Sequence, residues 1–311
     1  MEAISTIIRT VSGEAIRGFL FHLAEDPIPC RTLNYTHPGR DQCTLYDADD
    51  LIRDVLDSGG YEVTVATVPV QAFVPDTSVA WGFRRPLPDE PWYEARNIQA
   101  FKVGTVSPSE LVVILAHKDS QSWLECGPGA YDNAAGVAAL LEISRLLAPL
   151  ELERSALLLF CNEEHWPWTS VQAAKAIAKS NYNVVAVLNL DSIGGKSAAD
   201  ISDGRLPAAV RFSSREGERL ADTIADVNRT YRIGLAMSKV YSTPNDDDGS
   251  FVNAGISPSV LLIGSFPYAD PNYHTVDDKP SAVDVENVRR STQLALATVL
   301  SLCGLVNPSR L

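Results

Sequence analysis

The sequence predicts an α/β protein: a three-layer α/β/α sandwich around a mostly parallel mixed central sheet. Three observations carry this. Continuous apolar runs, LVVILA, SALLLF, VVAVLNL and SVLLI, read as strands buried on both faces. Stretches with helical spacing alternate with them, as where Val137, Leu140, Leu141 and Ser144 share one face of the segment opening DNAAG. No internal repeat or low-complexity tract interrupts the alternation, so one domain over 1–311, without an inserted domain, is the simplest account.

An N-terminal segment of about 1–60 reads as helical. Ile16, Phe19, Leu20 and Leu23 share one face, as do Leu51, Ile52, Val55 and Leu56, and SGG then supplies a stop. YEVTVATVPVQAFV alternates like a strand exposed on one side. The proline-rich PDTSVAWGFRRPLPDEPWYEA reads as an irregular connection, too short for a domain. From LVVILAH onward the order is strand, helix from DNAAG, strand SALLLFC, helix around SVQAAKAIAKS, strand VVAVLNLD, strand AVRFSS, helix EGERLADTIADVNRT, strand SVLLIGS and a last helix from about Val283.

A net charge of −13 over 311 residues argues against nucleic acid and anionic lipid as partners, since both demand a basic footprint. The apolar C-terminal stretch LALATVLSLCGLV is broken by Thr and Ser, which suits a packed helix and not a membrane span. A soluble protein is expected. The start lacks a basic n-region, an unbroken apolar h-region and an A-x-A site, so the sequence as given reads as cytoplasmic. A mature chain trimmed from a secreted or periplasmic precursor would read the same way. The five cysteines show no C-x-x-C; Cys30 and Cys43 flank RTLNYTHPGRDQ and could pair in an oxidising compartment, free thiols being the alternative.

In doubly covered sheets, ligands bind beyond the carboxyl ends of the strands. Three predicted strands end in chemistry-bearing groups: His117-Lys118-Asp119, Asn162-Glu163-Glu164 and Asp191. Asp132 opens the helix after the first of them, and His274 stands in PNYHTVDD beyond the last strand. Each has an ordinary structural role open to it, Asp132 as an N-cap, Asp191 in a turn before GG, His117 as a buried histidine with its partners satisfied. Taken together, five good ligands at strand ends exceed what capping requires. Carboxylates with imidazoles and no thiolate favour zinc or a similar divalent ion. One carboxylate bridging two ions roughly 3.5–4 Å apart, with an imidazole and a carboxylate added at each side, makes a dinuclear centre. The paired glutamates then divide their labour: one ligates while its neighbour takes a proton from a water the metal activates. CNEEH misses the H-x-x-E-H zinc pattern, because Cys161 holds the first position and a strand precedes it.

HKDS, GAYDNAAGVAALLEISRLL, NEE, NLDSIGG and YHTVDD, in this order and spacing, resemble the zinc-dependent aminopeptidase family that includes bacterial leucyl aminopeptidases, plasma glutamate carboxypeptidase and the glutaminyl cyclases. The resemblance covers most of the chain and implies a zinc exopeptidase-like fold. It implies that Asp132 bridges two Zn2+, with His117 and Asp191 on one ion and Glu164 and His274 on the other. Glu163 would be the general base, and Asp119 would orient the His117 imidazole. NDDDGSF resembles the family's Asp-bearing loop and puts Asp247 at the matching position, with Asp248 where a His usually follows. The family's peptidases continue their glutamate pair with Gly-rich turns, whereas this chain has HWPWTS, so Trp166 and Trp168 would narrow a substrate pocket or cover the core. Tyr241 is the candidate for an oxyanion-stabilising group.

These features lead to the expectation of a metallopeptidase, an exopeptidase of aminopeptidase type acting on a peptide or aminoacyl amide. The alternative is a glutaminyl-peptide cyclotransferase with a single zinc, which the two tryptophans favour and the peptidase form DNAAG disfavours. A non-catalytic binding domain is a third class, disfavoured because every ligand is present.

Overall fold

The computed structural model describes residues 1–306. Helices α1 (Glu2–Arg9), α2 (Gly13–Ala24) and α3 (Thr44–Ser58) precede strand β1 (Glu62–Ala72). A small hairpin, β2 (Val74–Pro75) with β3 (Phe83–Arg84), leads to β4 (Trp92–Lys102) and β5 (Ser107–His117). Then come α4 (Ala135–Leu147), β6 (Arg154–Cys161), β7 (His165–Trp166), α5 (Ser170–Ala178), β8 (Asn183–Leu190), α6 (Ala198–Ser202) and β9 (Pro207–Phe212). The chain continues through α7 (Arg215–Tyr231), β10 (Ala236–Tyr241), α8 (Asp246–Asn253), β11 (Ser259–Ile263) and α9 (Val285–Cys303).

Nine strands form one mixed sheet in the order β10-β9-β11-β8-β5-β6-β4-β1-β7. Its middle, β11-β8-β5-β6, is parallel, as is the β9–β10 pair at one edge; β4, β1 and β7 are antiparallel additions, and β11 meets β9 antiparallel. The alternation of a strand sends successive side chains to opposite faces. On β5, Val112, Ile114 and Ala116 enter the larger core with α2, α4 and α9, while Leu111, Val113 and Leu115 pack with Ala173, Ala174 and Ile177 of α5 and Phe251 of α8. Helices therefore cover both faces, which explains why the central strands are apolar throughout. Truncating a wholly buried leucine such as Leu140 would cost about 2–5 kcal/mol.

Some elements escaped the sequence pattern. α1 is a third N-terminal helix before the two marked by their apolar faces, and β10 is an edge strand whose side chains are mostly exposed. The segment expected to be irregular contains the β2–β3 hairpin, and its last residues already belong to β4. The pairing of Cys30 with Cys43 is wrong: Cys30 is bonded to Cys126, 96 residues away. The reason is that the 118–129 segment folds back along residues 31–34. Arg31 N–H donates to Ser120 Oγ, Ser120 N–H to Arg31 O, and Asn34 Nδ2 to Ser122 O. Cys43 instead packs its free thiol among Leu33, Leu45 and Tyr46.

Candidate metal centre

β5 pairs in parallel with β6 on one side and β8 on the other, so three carboxyl ends lie side by side where the chain changes direction of winding. Such a switch point opens a crevice beyond the strands. His117 ends β5, Glu163 and Glu164 follow β6, and Asp191 follows β8.

Asp132 lies in the irregular turn before α4, with φ −117 and ψ 84, and is not an N-cap. The capping work falls to Asn133, whose Oδ1 accepts from Gly136 N–H at 3.0 Å. Gly136 is required there, because a Cβ would stand 2.5 Å from the Leu190 carbonyl oxygen. The turn is held from the other side by Asp278, which accepts the N–H groups of Tyr131 and Asp132 at 2.9 and 3.2 Å. The Asp132 carboxylate is thus left free for the crevice.

It divides its oxygens. Oδ1 is 3.2 Å from His117 Nε2, and Oδ2 is 3.0 Å from His274 Nε2. His117 Nε2 also lies 3.3 Å from Asp191 Oδ1, and His274 Nε2 lies 3.5 Å from Glu164 Oε1. Two triads result, His117/Asp132/Asp191 and Asp132/Glu164/His274, each with one donor atom per residue within 4.8 Å of the others. His274 Nε2 is buried without a well-directed hydrogen-bond partner although carboxylates surround it. A ring nitrogen aimed into oxygen donors, with no thiolate present, fits a hard or borderline divalent ion such as zinc at each triad.

Asp119 organises the neighbourhood. Its Oδ1 and Oδ2 accept the N–H groups of Glu163 and Glu164 at 2.9 and 2.8 Å, and Oδ2 also meets His165 Nδ1 at 2.8 Å. His117 Nδ1 lies 3.3 Å from Asp119 Oδ1 and 3.2 Å from its carbonyl oxygen, which turns Nε2 toward the crevice.

Electrostatics reflect a crowd of carboxylates. Burial pushes Glu163 well above the ordinary carboxylate range, with Asp247 and Asp246 adding to it, and burial lifts Glu164 to about 7 despite the attraction of His274. Burial opposes charge on His274, yet Glu164 and Asp132 raise it to about 10. His117 is likewise held well above 6.5: burial works against the charged ring, and Asp191, Asp119 and Asp132 outweigh it. Although burial favours the neutral acid, hydrogen bonds from His117 and His274 hold Asp132 below its usual value. Protons on the two imidazoles stand where divalent cations would do the same neutralising work.

A cavity of about 530 Å³ opens beside the second triad. Glu163, Glu164 and His274 line it with Trp166, Trp168 and residues of the β2–β3 hairpin.

The sequence pattern of Peptidase family M28 matches residues 97–299, about two thirds of the chain. The chain belongs to Peptidase family M28. A "Probable zinc metalloprotease" of Pyrenophora teres f. teres is 26% identical to this M28 chain over 205 residues, 61% of the chain. The chain spans only 40% of that relative's length. The aminopeptidase from Aneurinibacillus sp. strain AM-1 superposes with a TM-score of 0.72 at 14% identity, covering 97% of each chain. A Bacteroides thetaiotaomicron glutaminyl cyclase bound to N-acetylhistamine gives 0.70 at 16% identity, covering 93% of this chain and 97% of the other. At such identities the M28 chain and these structures share the fold.

The M28 site departs from the sequence expectation at two places. Tyr241 is 73% exposed on the edge strand β10, packed against Phe212 and outside the cavity. Two tyrosines stand at the site instead: Tyr273, which lines the cavity, and Tyr268, whose hydroxyl lies 3.0 Å from Asp191 Oδ2 and 2.7 Å from Asp246 Oδ2. Asp247 is wholly buried behind the site and accepts from Cys161 Sγ at 3.0 Å; its neighbour Asp246 lines the cavity. Asp248 is paired with Arg211. Asp246, Tyr268, Asp278 and His165 were missed. Asp246, Tyr268 and His274 share a local signal, left-handed backbone at φ 55, 51 and 57, a strained geometry that collects at functional sites.

Proposed function

We propose that this chain is a metal-dependent exopeptidase of aminopeptidase type, with a single catalytic domain, and that His117, Asp132 and Asp191 hold one zinc ion and Asp132, Glu164 and His274 a second. The observation that carries this reading is Glu163: its carboxylate lines the cavity beside the second triad, and its Oε2 is buried with no hydrogen-bond partner. Ions so held would polarise the scissile carbonyl and lower the pKa of the attacking water. Glu163 accepts that water's proton and returns it to the leaving nitrogen. Asp119 fixes both glutamates through their backbone N–H groups and turns the His117 ring. Burial, with Asp191 and Asp246 adding to it, holds the Tyr268 phenol far above its ordinary pKa, so it stays protonated, and on turning from those carboxylates its hydroxyl would donate to an oxyanion at the carbonyl.

A second reading, glutaminyl-peptide cyclisation on one zinc, is favoured by the indoles of Trp166 and Trp168 in the cavity wall. Zinc content by elemental analysis, run beside a panel of aminoacyl amides and a glutaminyl peptide, separates the two. Two ions with release of free amino acids is the expected result; one ion with pyroglutamate formation would replace it. The Cys30–Cys126 disulfide supports an oxidising compartment, outside the cytosol, as the place where this enzyme works. Among the described residues no helix is long and apolar enough to cross a membrane.

A further inference from the structure

The cavity is electrically lopsided. Its floor carries Glu163, Glu164 and Asp246, the last already paired with Arg211, and its hairpin wall carries two arginines, Arg84 and Arg85. Arg84 is committed: its guanidinium meets both oxygens of Glu90, at 2.7 and 3.2 Å. Arg85 is not. Among the described residues no carboxylate lies within salt-bridge distance of it, and its guanidinium sits 3.7 Å from the centroid of the Trp166 ring. The indole face holds the planar group flat and occupies none of its N–H donors. Trp166 is in turn fixed by its place in the sheet, where β7 pairs with the end of β1. Exposed, unpaired and held over an aromatic platform on the cavity wall, the Arg85 guanidinium is placed to receive an anion from the cavity.

The geometry points to Arg85 as a specificity-determining residue that receives a carboxylate of the substrate, so that the preferred substrates are short peptides bearing an acid beyond the scissile bond. This rests on the aminopeptidase reading above. The scissile bond lies at the Glu163 and Glu164 end of the cavity, and the substrate's carboxylate beyond it faces Arg85. The carboxylate has two sources, the C-terminal α-carboxylate of a dipeptide or tripeptide and an acidic side chain after the cleaved bond.

The test compares kcat/KM of the zinc-loaded enzyme for matched pairs. Leu-Gly against Leu-Gly-amide reads the terminal carboxylate; Leu-Asp-amide against Leu-Asn-amide reads the side chain. A charge-assisted contact at a partly solvated wall should favour the acid of at least one pair about five- to tenfold, expressed in KM. Arg85→Gln should bring that ratio close to one, Arg85→Lys should recover part of it, and added salt should weaken it in the wild type. If Arg85 merely braces the hairpin, Arg85→Gln lowers acid and amide alike and leaves the ratio standing, which overturns the assignment. Wild-type enzyme that cleaves both members of each pair equally well also overturns it while the peptidase reading survives. Failure of the zinc-loaded wild type to cleave any of the four overturns both.

Discussion

The two triads share Asp132 yet are built differently. His117 and Asp191 stand at the ends of adjacent central strands, about 1–3% exposed, with the sheet ladder fixing their separation. Glu164 and His274 come from a turn and from the long 264–284 connection; His274 is 15% exposed and wedged between Tyr273, stacked at 3.7 Å, and the edge of Trp123 at 4.8 Å. The inner triad is preorganised by hydrogen-bonded strands, whereas the outer one depends on aromatic packing among loops. Rigid strands hold ligands more precisely than loops do. An ion at the inner triad should therefore be the harder to remove, and the outer position should be the one that adjusts as substrate enters.

The largest effect is expected where the comparison collapses. Asp132→Asn should abolish both ions, whereas His274→Ala should leave one and chelator should strip zinc in two steps, the outer ion first. Elemental analysis during chelation reads this directly, and a single-step loss would break the distinction. Next, Glu163→Gln should keep the wild-type zinc content and lose about a hundred- to ten-thousandfold in kcat. Retention of full turnover would remove Glu163 from the mechanism.

A smaller effect concerns protons. Glu164 and Asp278 are both raised to about 7 in the folded, metal-free chain, in each case chiefly by burial. From 3.8 for Asp278 and 4.5 for Glu164 up to about 7 the folded state then binds more protons than the unfolded one, so their contribution is fully present only below those lower values and is lost as pH rises through about 7. Urea midpoints of the metal-free protein should fall over that window relative to the zinc-loaded protein, in which an ion replaces the Glu164 proton. Equal slopes for the two forms would exclude Glu164 as a ligand. The smallest change tests the loops alone: Cys126→Ser should cost about 2–4 kcal/mol of stability. Because the 118–129 segment carries Trp123, that variant should weaken the outer ion more than the inner, as chelation rates would report.

Legibility followed the same division. His117 and Asp191 were readable because an apolar strand announces where it ends, and whatever polar group stands there faces the crevice. The acids of NDDDG were not resolved for a physical reason: Asp246 enters α8 with left-handed backbone at φ 55, a turn no periodicity marks, and so reaches the cavity while Asp247 is buried behind it. Tyr268 lies in a non-repeating connection with no periodicity to place it. The partner of Cys30 depends on a fold-back across 96 residues, which local spacing cannot encode. β10 and α1 are peripheral, and their patterns are correspondingly faint.

The β2–β3 hairpin leaves the sheet immediately after the register Gln71↔Trp92, the last pair of the β1–β4 ladder. Everything from 73 to 91 is thus an excursion whose two stems are already clamped side by side, and it contributes Phe73, Val79, Trp81, Phe83, Arg84 and Arg85 to the cavity but none of the candidate ligands. Such an arrangement makes the hairpin separable from the sheet but not from the outer triad, because Phe83 stacks on Trp123 at 4.0 Å and meets the His274 ring edge-on at 6.0 Å. A chimera that replaces it would keep the strand ladder and the inner triad, and any selectivity redesigned there would have to preserve the aromatic brace of His274.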